Sequence, residues 1–172
     1  EPAMAEAFND LVLPAEKAAR YAVLVEEVAA VLEGEPNLTA RMATVASMLA
    51  SSFDHFFWTG FYVVDPDKGD ELVVGPYQGS LGCMRIAFGR GVCGTAAATG
   101  QSQVVDDVHA FPGHIACDAR SASEIVVPVF DAEGTLIAVL DIDSEQPAAF
   151  DSNDDLWLKT LMAQVFAGGR PA

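Results

Sequence analysis

The chain has 172 residues, enough for one domain, and 51% of them are hydrophobic, ample apolar surface for a core. Lys and Arg number 9 against 25 Asp and Glu, a net charge of −16 that repels phosphates and so excludes nucleic acid and anionic membranes as partners. The longest aliphatic runs, such as Leu136–Leu140, fall far short of the roughly 18 residues a membrane span needs, so a compact, acidic, soluble domain is expected.

No basic segment leading into an apolar one opens the chain, so no secretory signal is read. Glu1-Pro2-Ala3 ahead of Met4 read as a processed or artificial end. Residues 1–14 read as an N-terminal extension to a domain over 15–168. The first helix is expected over about 15–33, where Tyr21, Leu24, Val25, Val28, Val31 and Leu32 recur at helical spacing before Gly34. Asn37 can cap a second, carrying Leu38, Met42, Val45, Met48 and Leu49 on one face. The chemistry then changes to aromatic and β-branched over 56–64, which predicts a strand, with a turn at 65–70 and a return strand over Glu71–Val74.

A third strand is expected near Cys83–Phe88, then a short alanine-rich helix over Val92–Thr99 stopped by Gly100, then a brief strand over Ser102–Val105. Residues 106–123 show no periodicity; a loop that long in a compact domain usually serves a function. Ile125–Phe130 and Thr135–Ile142 predict a hairpin, and Asp151 or Ser152 caps a last helix. The order ααβββαβββα, with hairpins rather than regular βαβ units, predicts an α+β fold with helices packed on an antiparallel sheet.

Three cysteines, Cys83, Cys93 and Cys117, make an odd number, which argues against a closed disulfide framework. A reducing, cytoplasmic setting is expected, in which such thiols are buried, metal-binding or catalytic. Cys93, in Gly91-Val92-Cys93-Gly94 at a helix start, is placed where the helix dipole favours a thiolate. Cys83 opens a strand edge, with Arg85 on the same face. Three thiols with His109 or His114 could hold zinc, although no Cys-x-x-Cys pair is present. Redox chemistry instead needs a nucleophilic thiol and a second thiol able to reach it.

Asp141 and Asp143 lie two apart on a strand and point to one face, and Glu124 begins the partner strand, so three acids can converge on a cation. That cation is either a metal, for which such oxygens also suit Ca²⁺ or Mg²⁺, or an ammonium group. Trp58 and Tyr62, four apart, share a strand face and could wall a pocket or simply pack in the core.

Taken in order, several segments resemble the free methionine-(R)-sulfoxide reductases, a catalytic GAF-domain family. They are Trp58-Thr59-Gly60-Phe61-Tyr62, Gly75-Pro76-Tyr77-Gln78-Gly79, Gly89 to Ala96, Phe111 to Asp118, Ser123 to Pro128 and Leu140 to Ser144. The resemblance runs from about residue 15 to 166 and takes in all three cysteines. It implies a single GAF domain with a central antiparallel sheet flanked by helices, and reduction of free L-methionine (R)-sulfoxide. It implies that Cys117 is the nucleophile, Cys83 the resolving thiol and Cys93 a third thiol. Glu124, Asp141 and Asp143 match substrate-binding acids, and Trp58 and Tyr62 match aromatic pocket walls. No cofactor or metal is implied; a thioredoxin-type dithiol is the expected reductant and a homodimer the expected assembly. The competing expectation is a non-enzymatic GAF sensor, since a fold does not fix a function.

Overall fold

The computed structural model describes residues 2–115 and 117–168. Six antiparallel strands form one sheet: β1 (Trp58–Val64), β2 (Glu71–Gln78), β3 (Arg85–Ala87), β4 (Gln103–Val105), β5 (Ser123–Phe130) and β6 (Leu136–Ser144). They lie in the order β3-β2-β1-β6-β5-β4, so β1 and β6 are central. The helices are α1 (Pro2–Asn9), α2 (Lys17–Val31), α3 (Leu38–Ser52), α4 (Gly91–Thr99) and α5 (Ser152–Phe166). The α+β architecture read from the element order is thus the one adopted.

The helix starts have local causes. Asn37 accepts the Ala40 N–H at 2.9 Å to cap α3, and Asp151 and Asp154 form a reciprocal capping box on α5. Gly100, at φ 68°, closes α4 in the left-handed conformation that a side chain resists. Helix α1 was not expected from the sequence. Its eight residues are too few to display a period, although Phe8 packs against the core. Of the terminal segment read as foreign, Glu1 lies outside the described residues and Pro2 begins α1.

Strand β2 runs past the expected end at Val74. The pairing of β1 and β2 shifts between Gly60 and Tyr62, and the Gly75-Pro76 step falls opposite that shift. A bulge tolerates the missing proline N–H, so residues that read as a break are carried within the strand.

The sheet separates two clusters by alternation. Phe61, Ile125, Val127, Val129, Leu140 and Ile142 face α2, α3 and α5 in the larger cluster. Trp58, Tyr62, Val126 and Val139 face the other way, toward α4 and the loops. Burial of one strand face under three amphipathic helices supplies the main hydrophobic stabilisation. Among its described residues, the loop over 106–122 contains only a 3₁₀ turn at Val108–Ala110, in keeping with its lack of period.

Candidate active site

The second sheet face carries the acids. Asp143 pairs with Trp58 on β1 and with Glu124 on β5, while Asp141 pairs with Gly60 and with Val126. Partners in register share a face, so Glu124, Asp141, Asp143, Trp58 and Tyr62 all project to one side. Glu124 and Asp141 are 6% and 5% exposed. Burial, with mutual repulsion behind it, raises all three carboxyls well above the ordinary carboxylate range. Asp141 Oδ1 is buried with no hydrogen-bond partner, an acceptor left open in the floor of a pocket of about 550 Å³ measured out to its mouth.

Aromatic rings wall this floor. Trp58 stacks on Tyr62 at 5.6 Å between centroids and on Tyr77 at 4.9 Å. The Trp58 indole N–H donates to the Ser80 carbonyl at 2.8 Å. Gly60 leaves the room between them: a Cβ there would run into Tyr77 and stand 3.0 Å from the Trp58 ring. Burial pushes the Tyr62 hydroxyl up, and the three acids and Cys93 push it the same way, so it stays a neutral donor.

Two loops meet over the mouth. Cys83, just before β3, forms a disulfide with Cys117 from the long loop, their Cα atoms 5.4 Å apart. A second tie runs beside it, as the Ser80 hydroxyl donates to Asp118 Oδ2 at 2.8 Å. Arg120 also donates to Asp118, at 2.8 Å, and lies 4.6 Å over the Phe57 ring. Hydrogen bonds from Arg120 and Ser80 hold the Asp118 carboxyl below its usual range.

Cys93 corrects one expectation. It sits in the first turn of α4, but it is 4% exposed and faces the acids. Burial, then Asp141, Glu124 and Asp143, push its thiol well up, so the dipole does not yield a thiolate there. Arg85 departs from expectation as well: Cys83 precedes the strand, and the guanidinium bonds Asp65 at 2.6 Å. The three-cysteine zinc arrangement is not formed, because two of its thiols are bonded to each other. What does cluster is Cys93 Sγ with one oxygen each of Glu124 and Asp141, all within 4.8 Å, a set that could hold a cation.

Trp58, Tyr62, Cys93, Cys117, Glu124, Asp141 and Asp143 therefore line one pocket, with Cys83 bonded to its rim. Sequence reasoning gave no pocket role to Tyr77, Ser80 or Arg90 and offered His114 only as a zinc ligand; Ser80, His114 and Arg90 line the pocket. Their signal is weak: each stands in a loop or beside one, and only the folded register reveals what it faces.

A pocket built on one face of an antiparallel sheet, roofed by loops and a short helix, places the chain in the GAF-domain class. The profile described as GAF domain matches residues 38–166. The free methionine-R-sulfoxide reductase of Escherichia coli is 44% identical over 145 residues, 84% of this chain and 86% of its own. That of Neisseria meningitidis, solved in complex with its substrate, superposes with a TM-score of 0.85 at 46% identity, covering 92% of this chain and 93% of that one. The reduced enzyme of Staphylococcus aureus superposes with a TM-score of 0.80 at 41% identity, over 85% and 92% of the two chains. The chain belongs to the free methionine-R-sulfoxide reductase family of GAF-domain proteins.

Proposed function

We propose that this protein reduces free L-methionine (R)-sulfoxide to L-methionine, with electrons from a thioredoxin-type dithiol. The reading rests on the Cys83–Cys117 disulfide closing the rim of an acid-floored pocket. Cys117, in the exposed loop, attacks the sulfoxide sulfur as its thiolate while Glu124 or Asp143 protonates the departing oxygen. Burial raises both carboxyls above their ordinary range, which favours an acid that still holds a proton to give. The sulfoxide oxygen passes as hydroxyl from the substrate sulfur to the Cys117 sulfur, methionine leaves as the thioether, and Cys117 holds a sulfenic acid. Cys83 attacks that sulfur, water departs, and the disulfide forms. An external dithiol then returns two electrons by exchange. Cys93 is not a member of the exchanging pair; its buried thiol packs beside the acids.

The acids not engaged in proton transfer bind the α-ammonium, and Trp58 and Tyr62 flank the substrate. A peptide-bound residue lacks that charge and would leave buried acids unpaired, which selects the free amino acid. No helix is long and apolar enough to cross a membrane among the described residues; we place the protein in the cytoplasm, as a homodimer.

Turnover of free methionine (R)-sulfoxide with dithiothreitol tests the reading. The unmodified protein is expected to be active, Cys117→Ser inactive, and Cys83→Ser to accumulate a dimedone-reactive sulfenic acid at Cys117. Activity retained in Cys117→Ser moves the nucleophile to Cys93. No turnover by the unmodified protein overturns the enzyme reading.

A further inference from the structure

Cys83 and Cys117 are 34 residues apart, yet the segments that carry them rest on adjacent residues, Phe57 and Trp58. On the Cys83 side, two glycines lie against the Trp58 indole. A Cβ at Gly79 would stand 2.7 Å from its Cδ1 atom, and one at Gly82 would stand 2.9 Å from its Cζ2 atom. Between them the Ser80 carbonyl accepts the indole N–H at 2.8 Å. On the Cys117 side, Arg120 covers the Phe57 ring at 4.6 Å and donates through Nε and Nη2 to Asp118, at 3.1 and 2.8 Å. Asp118 joins the two sides by accepting the Ser80 hydroxyl at 2.8 Å. The path Trp58–Ser80–Asp118–Arg120–Phe57 closes on itself, and both cysteines adjoin it: Cys117 precedes Asp118, and Cys83 follows Ser80 by three residues.

This clamp is noncovalent, so reduction of the disulfide leaves each of its contacts with a partner. The Asp118 carboxyl is held below its usual range, which keeps it charged near neutral pH and makes the Ser80 bond charge-assisted. The Arg120 pair is half exposed and contributes little alone. The Ser80 bond is partly buried and spans the gap between the segments. Upstream of Cys117, Ile115 packs on the second core cluster and anchors the loop independently. Asp118 therefore sets the final approach of one thiol to the other. In the resolving step the Cys83 sulfur attacks the Cys117 sulfenic sulfur, the S–O bond breaks, and the hydroxyl leaves with a proton as water. Holding two reactants together raises the rate of such a step through their effective concentration.

We propose that Asp118 is a positioning residue for resolution: by bridging Ser80 and Arg120 it keeps Cys117 within reach of Cys83 once the disulfide is reduced. This rests on the reductase reading above. Asp118 exchanges no proton or electron in this role; it acts through the loop that carries Cys117.

Two measurements on the full-length protein test it. The first is a single turnover of the reduced protein on free methionine (R)-sulfoxide without reductant, in which methionine release precedes disulfide closure. Asp118→Ala is expected to release methionine at close to the unmodified rate and to close the disulfide roughly 10-fold more slowly, with dimedone-reactive Cys117 accumulating. Asp118→Asn, which keeps an acceptor for Ser80, is expected to recover part of the closing rate. A general loss of structure would slow both steps together. The second measurement needs no substrate. Equilibration with glutathione disulfide, in which the two protein thiols form their disulfide and release two glutathiones, reads the effective concentration of the pair. It is expected to be roughly 10-fold lower in Asp118→Ala. An unchanged closing rate, an unchanged glutathione equilibrium, or equal slowing of both steps overturns the proposal. Absence of methionine release from the unmodified protein overturns the reductase reading instead, and the glutathione equilibrium then decides the clamp by itself.

Discussion

Glu124 and Asp143 stand directly opposite each other on neighbouring antiparallel strands, two acids in register on the pocket face of the sheet. Like charges so placed destabilise a sheet. Holding protons relieves such a pair and a bound cation would do the same, so occupation of the pocket by a cation is expected to change the number of protons bound.

A pH dependence follows from that difference. Glu124, Asp141 and Asp143 are raised above their unfolded values, so the folded state binds more protons than the unfolded chain above about pH 4. Stability contributed by the protonated acids is then complete below that point and is lost as pH rises, at about 1.4 kcal/mol per pH unit for each proton retained. Thermal unfolding from pH 5 to 8 is expected to show a falling midpoint. Glu124→Gln is expected to flatten the fall and to cost at least tenfold in turnover. L-Methionine binding is expected to release protons, measurable by calorimetry in two buffers of different ionisation enthalpy.

Alkylation should separate the thiols. Cys117 is exposed and Cys83 partly so, whereas Cys93 is closed off and its thiolate disfavoured by burial and by three acids. Iodoacetamide under native conditions is expected to leave Cys93 unmodified in both the oxidised and the reduced protein, and to label Cys83 and Cys117 only after reduction. Mass spectrometry of the digests reads the sites. Native labelling of Cys93 in the oxidised protein would contradict its burial.

Gly60 is a packing requirement of the aromatic wall. A Cβ there would lie 2.8 Å from the Tyr77 Cα and press on the Trp58 ring. Gly60→Ala is expected to cost about 1–3 kcal/mol as the strands shift, seen as a lower denaturation midpoint. KM for the sulfoxide is expected to rise with it, because the displaced ring is the pocket wall.

Asp154 offers a control far from the chemistry. It is 0% exposed and accepts from the Tyr21 hydroxyl at 2.6 Å and from Lys17 at 2.7 Å while completing the cap of α5. Asp154→Ala is expected to lose about 3 kcal/mol by stranding buried donors. Its kcat and KM, per folded molecule, are expected to match those of the unmodified protein. A changed KM would show that α5 communicates with the pocket.

Much of the fold was legible because each long element displayed its period. Val28 and Leu24 marked the buried stripe of α2, and the alternation from Leu140 to Asp143 separated the two faces of β6. The spacing of Asp141 and Asp143 alone puts both on one face of β6. What stayed hidden depends on three-dimensional neighbours. The Gly75-Pro76 step reads locally as an interruption, and only pairing with β1 turns it into a bulge. Cys93 has the local marks of an activated thiol, yet which side of α4 meets the sheet decides its environment.

The two faces of the sheet also differ in what mutation can do to them. Residues such as Ile125 and Leu140 answer to packing against α2, α3 and α5, whereas their strand neighbours Glu124 and Asp141 line the pocket. Adjacent codons are thereby under unrelated constraints, and one face can be rewritten without touching the other. A lineage could exchange the acids and thiols for a different set of pocket groups while the helix side keeps the chain folded. The same scaffold is free to diversify in chemistry faster than in shape.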